Sequence, residues 1–191
     1  MLLDRQAYDQ EKLARIQLSG QTVTGLVFED CTFESCSFVE CRFDRCRFLR
    51  CRFTDCVLSA LMPQDSRFIE VTFTRCKVIG VDWTVASEMR ELDFQRCQVH
   101  YSNFRFVKSP SIKLVACEAT EADFTEADLH GGDFRDTDFE NARFFKTNLT
   151  GADFRGARNY AIDVTNNTVT RARFSLPEAI SLLGGLDITI E

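Results

Sequence analysis

Residues 31–56 read CTFESCSFVECRFDRCRFLRCRFTDC, with Cys31, Cys36, Cys41, Cys46, Cys51 and Cys56 spaced five apart and a phenylalanine two residues after each of the first five. This period decides the fold, because it suits neither common element. An α-helix, at 3.6 residues per turn, scatters every fifth residue around its axis. A straight strand reverses its facing every residue, so a five-residue step would alternate inside and outside. Cysteine and phenylalanine, two apart, share one side of an extended segment, and the other residues of each five must turn the chain. Short extended pieces joined by corners, with one side always inward, wind into a solenoid.

The spacing extends along most of the chain. Phe28, Phe33, Phe38, Phe43, Phe48, Phe53, Leu58, Phe68, Phe73, Val78 and Trp83 share one phase. The phase slips by one residue within TVASEMRELD (84–93). Phe94, Val99, Phe104, Leu114, Phe124, Leu129, Phe134, Phe139, Phe144, Leu149, Phe154, Val164, Val169 and Phe174 then share the next. Sixteen of the 18 phenylalanines lie on this central position, which excludes coincidence; Phe106 and Phe145 do not. The position two residues earlier is small. All nine cysteines occupy it, including Cys76, Cys97 and Cys117, and later repeats fill it with Ala122, Ala127, Gly132, Thr137, Ala142, Thr147, Ala152 and Ala157.

That shared position argues that the cysteines are packing residues. Cysteine is a good small hydrophobe for a stacked ladder, with Cys36, Cys56 and Cys76 expected in one column and Cys97 and Cys117 in another. A metal site would show C-x-x-C pairs, and none exists. Side chains stacked in parallel are poorly placed for disulfides. No metal, cofactor or catalytic residue is therefore expected. No phosphate loop, H-E-x-x-H or G-x-S-x-G occurs, and a rod filled with phenylalanine has no room for a hydrolytic triad. His100 and His130 each follow a central residue and are expected to face solvent.

Composition narrows the partners. The chain has 191 residues, long enough for a continuous core, and a formal charge of −6, which argues against direct nucleic-acid binding. The start, MLLDRQAYDQEKLARIQ (1–17), carries charge from Asp4 and lacks the apolar stretch of a signal peptide. No apolar run is long enough for a membrane helix, so a cytoplasmic protein without membrane contact is expected. Between residues 118 and 153, ten acids face three bases: Glu118, Glu121, Asp123, Glu126, Asp128, Asp133, Asp136, Asp138, Glu140 and Asp153 against Arg135, Arg143 and Lys146. That stretch would occupy ~9 Å of rod, and its charge density is then comparable to duplex DNA at one charge per ~1.7 Å. The plainer reading is a solubilising surface shared among all sides of the rod. The arginines of CRFDRCRFLRCRF (41–53) sit among acids and polarise the rod along its length.

The repeats, with ATEADFTEADLHGGDFRDTDFENARFFKTNLTGADFRGA (119–157) as the cleanest run, resemble those of pentapeptide-repeat proteins. The resemblance implies an all-β fold: a right-handed, four-sided parallel β-helix of 20 residues per coil. The repeats would span 16–174, after an amino-terminal cap at 1–15. Pro63 at a central position predicts an irregular side near 59–67. The tail SLPEAISLLGGLDITIE (175–191) reads as a short helix and strand. Ser175 and Glu178 are candidates for a capping box, Pro177 falls in the first turn, Gly184–Gly185 end the helix, and Leu186, Ile188 and Ile190 alternate as a strand. The apolar residues Phe174, Leu176, Pro177, Ile180, Leu182, Leu183, Leu186, Ile188 and Ile190 exceed what one rod end needs, which predicts a homodimer; capping within one chain is the alternative.

The tail NYAIDVTNNTVTRARFSLPEAISLLGGLDITIE (159–191) and the middle CKVIGVDWTVA (76–86) are similar to Qnr-type and MfpA-like topoisomerase-protecting proteins. That resemblance implies a DNA mimic that binds DNA gyrase, with topoisomerase IV a second candidate, and counters quinolones or topoisomerase-directed toxins. Two departures stand out: no insertion breaks phase between Leu58 and Phe68, and the slip at 84–93 adds one residue, not a long loop. The alternative is a scaffold of the same fold with an unrelated protein partner.

Overall fold

The computed structural model describes residues 5–186 and 188, which form a parallel β-solenoid closed at its carboxyl end by a short 3-10 helix. Each side of a coil is one repeat, and each row of sides pairs in parallel. On the first side Tyr8, Phe28, Phe48, Phe68 and Met89 lie in register; on the second Leu13, Phe33, Phe53, Phe73, Phe94 and Leu114 do. The third starts with Leu18 beside Phe38 and the fourth with Val23 beside Phe43. The strands at Ala7–Asp9 and Lys12–Ala14 belong to these rows, so the coils begin well before residue 16. Stepping back by fives from Phe28 reaches Val23, Leu18, Leu13 and Tyr8, a signal the richer cysteine run overshadowed.

The core is a set of ring stacks. Phe33, Phe53, Phe73 and Phe94 stack at centroid distances of 4.3, 5.0 and 4.8 Å. Such contacts add to the large apolar area each ring buries. The corners are made by the residue two after the centre, whose φ is positive in nearly every repeat: +51° at Asp30, +53° at Arg45, +73° at Gly156. Side chains other than glycine tolerate this region poorly. Here the corner amide is held by the next coil, as where Asp30 N donates to Leu49 O at 2.9 Å and Arg50 N to Ile69 O at 3.0 Å.

The cysteines do more than fill space. The amide of Cys36 donates to Cys56 Sγ at 3.4 Å, Cys56 to Cys76 at 3.4 Å, Cys76 to Cys97 at 3.3 Å and Cys97 to Cys117 at 3.4 Å. Each thiol in turn reaches a carbonyl one coil back, as with Cys56 Sγ and Phe33 O at 3.4 Å. The two expected columns are therefore one, running across the phase slip. Cys117 N closes it by donating to Thr137 Oγ1 at 3.1 Å. In the alanine-rich coils the need disappears, because the small residue's amide turns back on its own repeat: Ala122 N to Ala119 O and Ala127 N to Phe124 O, both 3.1 Å. Cysteine thus sits where the corner leaves that amide free, and alanine where a turn satisfies it.

The slip itself is one extra residue between Trp83 and Met89, taken up by a 3-10 turn at Trp83–Val85. Asp82 caps it, accepting from Thr84 N at 3.1 Å and Thr84 Oγ1 at 2.7 Å. Residues 59–67 keep the repeat spacing, but the side centred on Pro63 is paired toward the preceding coil only: no bridge joins Met62 to Asp82 on the following one. Pro63 is buried as a centre, Met62 bridges Arg42, and Phe43 N donates to Met62 O at 2.9 Å. A central amide donates to the following coil, and Pro63, having no N–H, leaves that ladder bond to Asp82 unmade.

The tail differs from its expected form. The helix spans Glu178–Gly185 and is of 3-10 type. Pro177 is at its N-cap with no side-chain cap bond, and Ser175 Oγ instead accepts from Gly156 N at 2.9 Å. No capping box forms, and Gly184 and Gly185 lie inside the last turn. Of the expected strand, Leu186 and Ile188 are in no strand, and Ile190 lies outside the described residues.

Candidate partner-binding surfaces

The ten acids of 118–153 form a belt, not a face. Asp128 projects from the first side, Asp133 and Asp153 from the second, Glu118, Asp138 and Glu140 from the third and Asp123 from the fourth. Glu121, Glu126 and Asp136 occupy corners. Several carboxylates have local work. An aspartate just before a centre accepts from the amide just after it: Asp123 from Thr125 N at 2.9 Å, Asp133 from Arg135 N at 3.2 Å, Asp138 from Glu140 N at 3.1 Å, Asp153 from Arg155 N at 3.2 Å. These are Asx turns spanning the central side chain, and they explain why A-D-F recurs in this half of the chain.

Cations neutralise part of the belt. Arg135 grips Asp133 with two bonds of 2.8 and 2.7 Å, and Arg155 grips Asp153 likewise at 2.9 and 2.7 Å. Both aspartates are held below the usual carboxylate range by these guanidinium bonds. Arg158 meets Asp138 at 3.0 Å one coil on. Glu121, Asp123, Glu126, Asp136 and Glu140 make no ion pair among the described residues, so the unpaired charge lies mainly on the third and fourth sides and their corners.

His130 is exposed and 2.9 Å from Asp128, whereas His100 is only 20% exposed at its side chain, with Nε2 3.2 Å from Glu118. His100 is thus tucked between coils and does not face open solvent as expected. Among the described residues no group of His, Cys, Asp or Glu converges as a metal site, and all nine cysteines are free and buried. No described helix is long and apolar enough to cross a membrane.

At the carboxyl end Phe174 and Leu182 pack against the core, while Leu176, Ile180, Leu183, Leu186 and Ile188 are exposed. Pro177 is exposed beside them. The predicted apolar set is therefore divided into a cap and an outer patch. Phe106 and Phe145, the two phenylalanines off the period, are also on the surface, each beneath a cation: Arg105 at 5.0 Å and Lys146 at 5.4 Å from the ring centres. A second feature escaped the period. Ser109 fills a central position with a small polar residue, and the side it belongs to is open toward the preceding coil.

Comparison with known proteins agrees with this architecture. Residues 26–104 match the pentapeptide repeat region and residues 122–158 match pentapeptide repeats in eight copies. Among curated proteins none matches the sequence. Among solved structures, a trypsin-treated variant of QnrB1, described as a plasmid-mediated fluoroquinolone resistance protein, superposes with a TM-score of 0.76 at 18% identity, covering 97% of this chain and 98% of that one. Full-length QnrB1 superposes at 0.66, also at 18% identity, covering 95% and 100%. With the two family models together matching more than half of its residues and the solenoid fold in agreement, the chain belongs to the pentapeptide-repeat family.

Proposed function

We propose that this protein is a catalytically inert rod that binds DNA gyrase in competition with DNA, with topoisomerase IV a second candidate target. It thereby alters the response of the enzyme to quinolones or topoisomerase-directed toxins. The observation that carries the reading is the belt of unpaired carboxylates, Glu121, Asp123, Glu126, Asp136 and Glu140, fixed on a rigid rod. A rigid array of negative charge can occupy a surface built for phosphates and is released by salt as DNA is. The fold shared with QnrB1, a fluoroquinolone resistance protein, supports the choice of target.

The exposed patch of Leu176, Ile180, Leu183, Leu186 and Ile188 supports a homodimer joined end to end, which would double the reach of the rod. The neutralised pairs Asp133–Arg135 and Asp153–Arg155 favour the second reading, a scaffold with an unrelated protein partner, because they thin the charge on the second side. A gyrase assay separates the two: supercoiling and drug-induced cleavage are measured with and without micromolar protein over a salt series. A salt-sensitive change in either supports gyrase as the target, and no change at any salt excludes it.

A further inference from the structure

The first side of the rod is broken once. Between 88–91 and 107–110 there is neither a bridge nor a backbone hydrogen bond. The ladder is intact immediately on either side: Glu70 N donates to Arg90 O at 2.9 Å, and Asp128 N donates to Val107 O at 2.8 Å. Two residues account for the break. Pro110 has no N–H to give to the preceding coil, and Ser109 puts a small polar side chain where most repeats place a large apolar one. The amides of Met89 and Glu91 on one lip and of Lys108 on the other consequently have no backbone acceptor.

Two adjoining cavities of about 450 and about 600 Å³ open along this break, with Arg90 and Pro110 common to both. These volumes are in the range of ligand clefts. The first has an apolar floor of Trp83, Met89 and Val107, and the buried Trp83 indole N–H has no acceptor. Around it stand Arg90, Arg105 and Lys108, none of which has a carboxylate within ion-pair distance among the described residues. Glu88 on the same wall leans away to Arg67 at 3.9 Å. The second cavity is mixed in sign, with Lys113 near Asp93 at 3.9 Å and Glu70 and Glu91 beside them. In a protein of net charge −6, three unpaired cations at one cleft are a local reversal of sign.

We propose that this cleft is a docking site for an extended, acidic segment of a partner protein. Its backbone pairs with the open lip at Met89–Glu91, and its carboxylates meet Arg90, Arg105 and Lys108. Open ladder groups call for a peptide backbone, which adds a strand to an exposed sheet edge, and the apolar floor takes the alternate side chains. A nucleic acid could satisfy the cations but not the ladder. This cleft is independent of the acidic belt, and its partner has the opposite charge.

The test uses three fluorescent probes on the full chain: an eight-residue peptide alternating glutamate with valine, one alternating lysine with valine, and a ten-nucleotide oligothymidylate. Anisotropy is expected to rise with the glutamate peptide alone. The affinity should fall at least tenfold in a variant carrying Arg105→Glu and Lys108→Glu, both exposed positions, with unchanged thermal unfolding. Hydrogen exchange at Met89, Glu91 and Lys108 should slow on binding. Binding of the oligonucleotide but not the glutamate peptide overturns the proposal. So does glutamate-peptide binding without protection of those amides, and so does binding of neither probe.

Discussion

The amide of Cys76 donates to the sulfur of Cys97 at 3.3 Å across a step of 21 residues, whereas the other steps of that column, Cys36 to Cys56, Cys56 to Cys76 and Cys97 to Cys117, are 20. The column ignores the slip in sequence because the extra residue leaves the rod at a corner and the ladder resumes in register. Removing the sulfur should therefore matter even though alanine fills this position elsewhere. Cys97→Ala strands the buried Cys76 amide, with an expected cost of about 1–3 kcal/mol. Cys97→Ser keeps a donor and an acceptor, as Ser102 does by accepting from Val81 N and donating to Val78 O, and should cost less. Urea denaturation of the two variants decides; equal stability would mean the sulfur bonds contribute nothing.

Thiol ionisation gives the rod a weakness to alkali. Burial pushes the Cys51 thiol from 9.0 up to about 12, and the Cys117 sulfur together with burial does the same for Cys97. A folded pKa above the unfolded one means that the stabilisation is complete below pH 9 and is lost as pH rises toward 12. The urea midpoint should fall between pH 7 and about pH 10.5, and fall less in a Cys51→Ser variant. Native protein at neutral pH should leave all nine thiols unreacted toward an aromatic disulfide reagent until it unfolds, because all nine are buried out of the reagent's reach.

The ring stacks set the largest single-residue costs. Phe53 is fully buried between Phe33 at 4.3 Å and Phe73 at 5.0 Å. Phe53→Ala should lower stability by about 3–5 kcal/mol, since neighbouring coils are held by the ladder and cannot collapse into the space. A thermal unfolding curve close to wild type would show that the stack is dispensable.

How far the sequence announces this structure depends on which interaction is asked about. Period, inward facing and the inert character of the thiols follow from side-chain spacing, which is local. Tyr8, Leu13, Leu18 and Val23 were equally legible, as they hold the same phase as Phe28. The sulfur column was not, because it depends on where the extra residue at 84–88 is accommodated in space. The break at Met89–Ser109 was also hidden: it follows from a missing proline N–H meeting a particular row. The partial shielding of His100 beside Glu118 likewise depends on the coil above, not on the residue before it.

The belt of acids makes a charge-only test possible. In Asp123 one carboxylate oxygen accepts the amide two residues on, and an asparagine side chain offers the same carbonyl. Replacing the unpaired set, Asp123 and Asp136 with asparagine and Glu121, Glu126 and Glu140 with glutamine, should leave the unfolding midpoint nearly unchanged while weakening gyrase binding and flattening its dependence on salt. Binding that survives undiminished in the fivefold-substituted protein removes charge mimicry by this segment from consideration.

The end of the rod supplies a test of assembly that does not disturb the fold. Leu182 packs on the core together with Phe174, whereas Leu183, 38% exposed, points outward with Ile180 and Leu186. Exposed apolar area is worth about 25 cal/mol per Å² when buried, so these residues favour meeting a second copy. Leu183→Asp should turn a sedimenting dimer into a monomer with little change in thermal stability. Leu182→Asp should instead loosen the cap and lower stability in either state. A wild-type chain that sediments as a monomer at tens of micromolar would assign the patch to capping alone, and Leu183→Asp would then change neither mass nor gyrase binding.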